Sequence, residues 1–404
     1  MSYSDGTRAA HAGLPEPEVG APFLPGPVFA APYHLDPVAG PQPGQPGYGR
    51  PDNPTRAALE AAIGELEGGG CVVFASGMAA IAAVLQVAAL GPASPGPRSA
   101  GSAATGATRE GGATEAPGPA RAERAPGAER RPGFVVMPSD GYYAARALAA
   151  QLLPDVRFAP TAGPYPSFDG ASLVLLESPA NPGLAMCDLP ALGAAARAAG
   201  ALVAVDNTTA TPLGQRPLDL GADISVGSGT KALAGHSDVV LGYACARSPE
   251  LVEALRSWRN LAGSVPGPFE AWLVHRSMGT LDLRLARQSA NAAAVADVLA
   301  AHPAVLRVRW PGRPDDPAFQ LAQRQLRRVP GVVTFTLADK AAVDRFLLAS
   351  SLVHAATSFG GLHTTADRRE QWGDDVPAGL VRLSCGVEDT ADLVADIAAA
   401  LKAV

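Results

Sequence analysis

Between Cys71 and Val226, short apolar runs alternate with helix-like runs, and this alternation restricts the fold more than any other feature. Cys71-Val72-Val73-Phe74-Ala75, Phe134-Val135-Val136-Met137, Leu173-Val174-Leu175-Leu176, Ala201-Leu202-Val203-Ala204-Val205 and Ile224-Ser225-Val226 read as strands. Continuous apolar runs of this length suit strands covered on both faces, as in parallel sheets. Helical patterns lie around and between them. From Arg56, Leu59, Ile63 and Leu66 recur at spacings of four and three, with Thr55 as N-cap. A second helix is predicted over 79–90 after Ser76-Gly77-Met78, and a third over 190–199. The expected class is α/β, a large mostly parallel sheet with helices on both faces.

The character changes after residue 256. A long helix is predicted over 268–301, then strands over 305–310 and 331–337, a helix over 341–348, strands over 353–357 and 380–384, and a last helix from Ala391. This reads as a smaller C-terminal α+β domain over 256–404, beside a main domain over 58–255. Residues 1–57 read as an extended arm, because ten prolines from Pro15 to Pro46 exclude a long helix. Such an arm has no core of its own and is expected to lie on another surface, a second subunit being the candidate. Residues 91–132 contain no aromatic residue and no Leu, Ile or Val. They predict a disordered surface insertion, since they have nothing with which to build a core.

With 47% hydrophobic and 17% charged residues the chain is that of a globular protein. A net charge of −6 offers no electrostatic footprint for nucleic acid. No apolar run reaches the roughly 18 residues a membrane span needs, and the N-terminus lacks the basic and apolar regions of a signal peptide. Cys71, Cys187, Cys245 and Cys385 are far apart and make no CxxC, so free thiols in a reducing, cytoplasmic setting are expected. The seven histidines show no ligand spacing, and no metal site is predicted.

Three residues in the chain are lysine: Lys231, Lys340 and Lys402. The last two sit where a solvated lysine is ordinary, one before a helical run and one near the C-terminus. Lys231 lies instead in Ser225-Val226-Gly227-Ser228-Gly229-Thr230-Lys231-Ala232-Leu233-Ala234-Gly235-His236, among hydroxyls and glycines. Elsewhere the chain uses arginine, which stays protonated and forms no Schiff base; lysine can.

The other chemical residues fall at predicted strand ends, where open α/β sheets bind ligands. Asp206 ends one strand. Glu177-Ser178-Pro179-Ala180-Asn181-Pro182 follows another, and Asp140-Gly141-Tyr142 a third. The strand, turn and helix start at Ser76-Gly77-Met78 can offer backbone N–H groups to an anion. An amine, a strand-end carboxylate and an anion cradle match what pyridoxal phosphate requires.

At these residues the chain resembles the cysteine/methionine-metabolism family of pyridoxal-phosphate enzymes, which includes cystathionine γ-lyase, γ-synthase and β-lyase and methionine γ-lyase. The resemblance is carried by Gly47-Tyr48-Gly49-Arg50 with Asn53-Pro54-Thr55, Ala75-Ser76-Gly77-Met78, Glu177 through Pro182, and Val205-Asp206-Asn207-Thr208. Ser228-Gly229-Thr230-Lys231 with Gly235-His236-Ser237-Asp238, and Arg382-Leu383-Ser384-Cys385-Gly386-Val387-Glu388-Asp389, complete it. It implies the fold-type-I transferase architecture, with residues 58–255 as the cofactor-binding domain. It also implies roles. Lys231 would hold the cofactor and shuttle protons, and Asp206 would keep the pyridine nitrogen protonated. Gly77 and Met78, with the hydroxyls of Ser228 and Thr230, would hold the phosphate. Tyr142 would stack on the ring and Asn181 contact its oxygen. Arg382 would grip the substrate carboxylate, with Ser358 nearby. Tyr48 and Arg50 would reach the phosphate of a neighbouring subunit, in a homotetramer built from dimers.

The resemblance implies γ-elimination on L-cystathionine or a related sulfur amino acid. The alternatives are γ-replacement and, from another class, an idle cofactor-binding interaction protein. Two departures bear on substrate choice. Tyr143-Ala144-Ala145 stands where the family usually has Gly-Gly-Thr, and Ala144 replaces the cysteine of methionine γ-lyases, which argues against that activity. Thr357 and His363 replace two acidic residues expected near the substrate entrance.

Overall fold

The computed structural model describes residues 3–40, 42, 44–89 and 133–404. The predicted insertion over 91–132 lies outside the described residues, as do Pro41 and Pro43 of the arm.

The larger sheet has seven strands: β1 Gly70–Phe74, β2 Phe134–Pro138, β3 Val156–Ala159, β4 Ala171–Glu177, β5 Leu202–Asp206, β6 Ile224–Ser228 and β7 Gly242–Ala246. Their spatial order is β1-β7-β6-β5-β4-β2-β3. The run from β6 to β3 is parallel, while β7 is antiparallel to both β6 and β1. All seven residues of β4 are buried, as a strand covered on both faces requires. The two-residue period sends alternate side chains to opposite layers. Val72 and Phe74 pack with helix Gly77–Val84, while Cys71 and Val73 pack with helices Pro54–Glu67 and Pro268–Met278.

The smaller sheet contains β8 Arg307–Arg309, β9 Val332–Thr336, β10 His354–Ala355, β11 Thr365–Arg368 and β12 Leu380–Ser384, in the order β10-β11-β12-β9-β8. It is antiparallel except for the short β10–β11 pair. Helices Leu281–Ala301, Lys340–Ala349 and Thr390–Leu401 supply the side chains that bury its inner face. The α/β class with a mostly parallel main sheet therefore stands as predicted.

Several local expectations are corrected. The first large helix is capped by Asn53, not Thr55: the Asn53 carbonyl oxygen of the side chain accepts from the N–H groups of Thr55 and Arg56 at 3.0 and 3.3 Å. Pro54 then occupies N1, where its missing N–H costs nothing. The predicted helix over 79–90 starts at Gly77, and its α-helical part stops at Val84, where a π-helical turn Leu85–Ala89 follows. The single helix expected over 268–301 is two, Pro268–Met278 and Leu281–Ala301, interrupted at Gly279 and Thr280. The arm is not wholly extended. Asp5–His11 forms a helix, and Ala9 and Ala12 bury themselves in the core of their own chain beside Leu59 and Ala62. Among the described residues no helix is long and apolar enough to cross a membrane, and no cluster of His, Cys, Asp and Glu side chains is placed to hold a metal.

Candidate active site

The C-terminal ends of β4, β5 and β6 carry Glu177, Asp206 and Ser228, and the loop after β6 carries Lys231. Lys231 donates from Nζ to Ser358 Oγ at 2.9 Å, and its Nζ lies 5.5 Å from the centre of the Phe359 ring. Burial, then the positive charge of Arg382, pushes the Lys231 amine down from 10.5 to about 8, against the opposing pull of Asp206. Lys231 therefore offers a far larger neutral, proton-accepting fraction near neutral pH than an ordinary lysine does.

Ser358 joins Lys231 to Arg382. Its backbone has φ of 74°, a left-handed conformation that a non-glycine residue adopts at a cost and that concentrates at functional sites. In that conformation its hydroxyl meets Lys231, while its carbonyl accepts from Arg382 Nη2 at 2.8 Å. Arg382 is 3% exposed and also donates from Nη1 to Asn181 Oδ1 at 2.6 Å. Gly360 completes the turn. With φ of 79° and a would-be Cβ 2.7 Å from the Ala232 nitrogen, the position admits only glycine.

Glu177, the first residue of the motif that runs to Pro182, is central to the site. Its two carboxylate oxygens accept from the N–H groups of Tyr142 at 2.7 Å and Asn181 at 2.8 Å. One side chain thus fixes both residues assigned to the cofactor ring. Glu177 also sits in register with Asp206 on the neighbouring strand. Burial, followed by the Asp206 charge, pushes the Glu177 carboxyl up, while the two N–H groups it accepts from hold it down. Burial likewise raises Asp206, while the Thr208 hydroxyl and its N–H, the latter 2.9 Å from Oδ1, hold it down. The Tyr142 hydroxyl is raised too, chiefly by burial.

Gly77 and Met78 take the first two positions of helix Gly77–Val84, where N–H groups have no acceptor inside the helix. Ser76 caps that helix by accepting from Ala79 N–H at 3.1 Å. A Cβ on Gly77 would lie 2.8 Å from the Ser228 Cβ, so glycine lets the helix start and the end of β6 close into one cradle. The Thr230 hydroxyl donates to the Leu241 carbonyl at 3.1 Å and accepts from the Leu241 N–H at 2.9 Å. The Ser228 hydroxyl oxygen lies 3.0 Å from the place a Gly77 Cβ would take, at the mouth of that cradle. Tyr48 and Arg50 stay at the surface of this chain, Arg50 donating to the Asn260 carbonyl at 2.7 Å with its guanidinium 5.9 Å from the Tyr48 ring.

A buried residue that sequence reasoning missed holds the lysine loop. Arg284 donates to the carbonyls of Ala232 at 2.6 Å, Leu233 at 3.3 Å and Ser277 at 2.8 Å. The break at Gly279 and Thr280 serves this contact, since the Thr280 hydroxyl accepts from Arg284 Nε at 3.2 Å. Thr357 and His363 are both exposed, and His363 faces His354 with ring centres 6.4 Å apart.

An amine of lowered basicity, a half-buried strand-end carboxylate, a glycine-lined N–H cradle and a buried guanidinium in one place define a site for a phosphorylated pyridine aldehyde and an amino acid. The donor set fits pyridoxal phosphate: the cradle for the phosphate, Asp206 for the pyridine nitrogen and Lys231 for the aldehyde. A sequence profile of the family described as "Cys/Met metabolism PLP-dependent enzyme" matches residues 29–93 and 168–402, and the chain belongs to that family of pyridoxal-phosphate-dependent enzymes. It is 48% identical to a Streptomyces coelicolor protein named "Putative cystathionine gamma-lyase", over 98% of this chain and 93% of that one. It is 35% identical to a cystathionine gamma-synthase of Mycobacterium tuberculosis, over 98% and 96% of the two chains. It superposes with a TM-score of 0.84 on cystathionine gamma synthase from Xanthomonas oryzae pv. oryzae in complex with aminoacrylate and cysteine. That match is 31% identical and covers 100% of this chain and 98% of the other.

Proposed function

We propose that the chain breaks a carbon–sulfur bond by γ-elimination on L-cystathionine or a related sulfur amino acid, giving a thiol, a 2-oxo acid and ammonia. The observation that carries this reading is the convergence of Lys231 and Arg382 on Ser358. A base and a carboxylate clamp anchored on one residue are what proton removal from the Cα of an amino acid needs. Arg382 would bind the carboxylate through its charged N–H groups. Lys231 would take the Cα proton on Nζ and then move a second proton from Cβ. Asp206 would hold its charge beside the pyridine nitrogen, and Glu177 would keep Tyr142 and Asn181 in place around the ring. Gly77, Met78 and Ser228 would fix the phosphate. The cofactor, when bound, supplies the electron sink for the charge left at Cα.

Similarity to a lyase at 48% identity favours elimination, and similarity to synthases at 35% keeps γ-replacement as the second reading. The site would be completed by Tyr48 and Arg50 of a second subunit in a cytoplasmic homotetramer, a reading supported by their exposure here and by the family resemblance. The deciding experiment supplies L-cystathionine with and without an added thiol and identifies the products. Cysteine with 2-oxobutanoate and ammonia supports γ-elimination. Homocysteine with pyruvate indicates β-elimination. A new thioether in place of the oxo acid indicates replacement.

A further inference from the structure

Arg382 belongs to a buried chain of alternating charges. Arg369, in the turn Arg369–Trp372 after β11, donates from Nε and Nη2 to Asp374 Oδ2 at 2.9 and 2.6 Å, and from Nη1 to Asp367 Oδ2 at 2.7 Å. The same Asp367 oxygen lies 3.4 Å from Arg382 Nη2, across the β11–β12 pair in which Asp367 and Arg382 are register partners. The other Asp367 oxygen accepts from Trp372 Nε1 at 2.8 Å and Gln371 Nε2 at 3.0 Å. Asp367, Arg369 and Asp374 are 4%, 4% and 6% exposed. Arg146, on the helix that follows Tyr142, closes the far end at 3.9 Å from Asp374.

Such a buried network is poor value as stability, because desolvating four charges offsets most of their attraction. Its distances suggest another use. Asp367 is one charge shared by two guanidiniums, and it sits 0.7 Å nearer to Arg369 than to Arg382. A carboxylate that closed on Arg382 would neutralise the clamp and compete with any incoming carboxylate for the same N–H groups. Arg369, braced on its other edge by both bonds to Asp374, holds Asp367 back. Arg382 is oriented instead by two neutral acceptors, Asn181 Oδ1 and the Ser358 carbonyl, which leave its charge in place.

We propose that Arg369 is a positioning residue that draws Asp367 away from Arg382 and so keeps Arg382 available to the carboxylate of an amino-acid ligand. This rests on the reading of Arg382 as the carboxylate clamp. Arg369 and Asp367 then have effects of opposite sign. Arg369→Gln releases Asp367 onto Arg382 and weakens carboxylate binding. Asp367→Asn removes the competitor and leaves carboxylate binding equal to or tighter than wild type.

The test uses the cofactor-loaded enzyme titrated with glycine and, separately, methylamine, each followed by the change in the visible band of the cofactor. The two probes share the amine and differ by the carboxylate. Arg369→Gln is expected to weaken glycine roughly tenfold, the scale of a charge-assisted contact, and to leave methylamine within about twofold. Cofactor affinity and the resting spectrum stay as in wild type, which a general structural defect would not allow. Asp367→Asn is expected to bind glycine at least as tightly as wild type, and adding it to Arg369→Gln is expected to restore glycine binding. Equal weakening of glycine and methylamine, or weaker glycine binding in Asp367→Asn, overturns the proposal. If Arg369→Gln fails to fold, the sign of the Asp367→Asn effect still decides. The underlying reading has its own check: Arg382→Gln must abolish the preference for glycine over methylamine. If it does not, the clamp assignment falls, whatever the Arg369 result.

Discussion

The lowered basicity of Lys231 can be tested without a substrate. With the amine at about 8, roughly 10% of Lys231 is neutral at pH 7, against roughly 0.03% at the ordinary 10.5. The neutral amine is the form that attacks the cofactor aldehyde, so the site gains about 300-fold in reactive nucleophile at pH 7. The sign follows from the direction of the displacement. Below about pH 8, the rate at which cofactor-free protein captures pyridoxal phosphate should rise about tenfold per pH unit, and above it the rate should level off. The assay mixes stripped protein with excess cofactor between pH 6 and 10 and follows the band near about 420 nm expected of the bound form. Arg382 is the second cause of the displacement after burial, so Arg382→Gln should move the plateau to higher pH and slow capture at pH 7. Titrations of the cofactor itself are common to both proteins and cancel in the comparison. A wild-type rate still rising tenfold per unit between pH 8 and 10 would refute the reasoning, because it would show an amine that burial and Arg382 leave unperturbed.

Three further outcomes are expected. Glu177→Gln keeps one acceptor and sets an amide NH2 against one of the N–H groups of Tyr142 and Asn181, an unsatisfied contact of about 1–3 kcal/mol. Cofactor affinity, read by fluorescence titration, should fall about tenfold, and unchanged affinity would mean that other contacts hold these loops. Arg284→Met strips the donor from three buried carbonyls and should cost roughly 1–3 kcal/mol in denaturant unfolding as well as slowing cofactor capture at Lys231. Mixing Arg50→Ala with Lys231→Ala protein should restore part of the activity if Tyr48 and Arg50 complete the neighbouring site; a fully active monomer in sedimentation would exclude that arrangement.

The parallel core of the fold was legible because burial on both faces writes itself as uninterrupted apolar runs. The strands that went unread have other reasons to exist. β3 is Val-Arg-Phe-Ala at a sheet edge, with Arg157 and Phe158 exposed, and only its ladder with β2 defines it. β7 is Gly-Tyr-Ala-Cys-Ala, small apart from Tyr243, and its first residue must be glycine because a Cβ at Gly242 would lie 2.1 Å from the Ser76 carbonyl oxygen. β11 is Thr-Ala-Asp-Arg, and its Asp367 belongs to the buried charge network. The split of the long helix was hidden as well, since nothing in Gly279-Thr280 shows that Arg284 must turn toward the lysine loop.

The same logic divides the site. Residues that act on a ligand were readable by their own chemistry: a solitary amine among glycines, a carboxylate at a strand end, a small-residue turn before a helix. Residues that act through those were not. Lysine is so scarce here that Lys231 stood out, yet arginine makes up the rest of the 32 basic residues, and apart from Arg50 and Arg382, which the family resemblance marks, each reads as an ordinary surface charge. Burial and partners together separate them, since Arg56 and Arg259 are as deeply buried elsewhere. Arg284, Arg369 and Arg382 are 5%, 4% and 3% exposed, and each buried guanidinium must find acceptors or unfold its surroundings. Those acceptors are the carbonyls of Ala232, Leu233 and Ser277 for Arg284, Asp367 and Asp374 for Arg369, and Asn181 and Ser358 for Arg382. The abundance that hid the arginines in the sequence therefore gave the fold its means of holding a single lysine and a single clamp in register, and only the three-dimensional pairing shows which arginines were given that task.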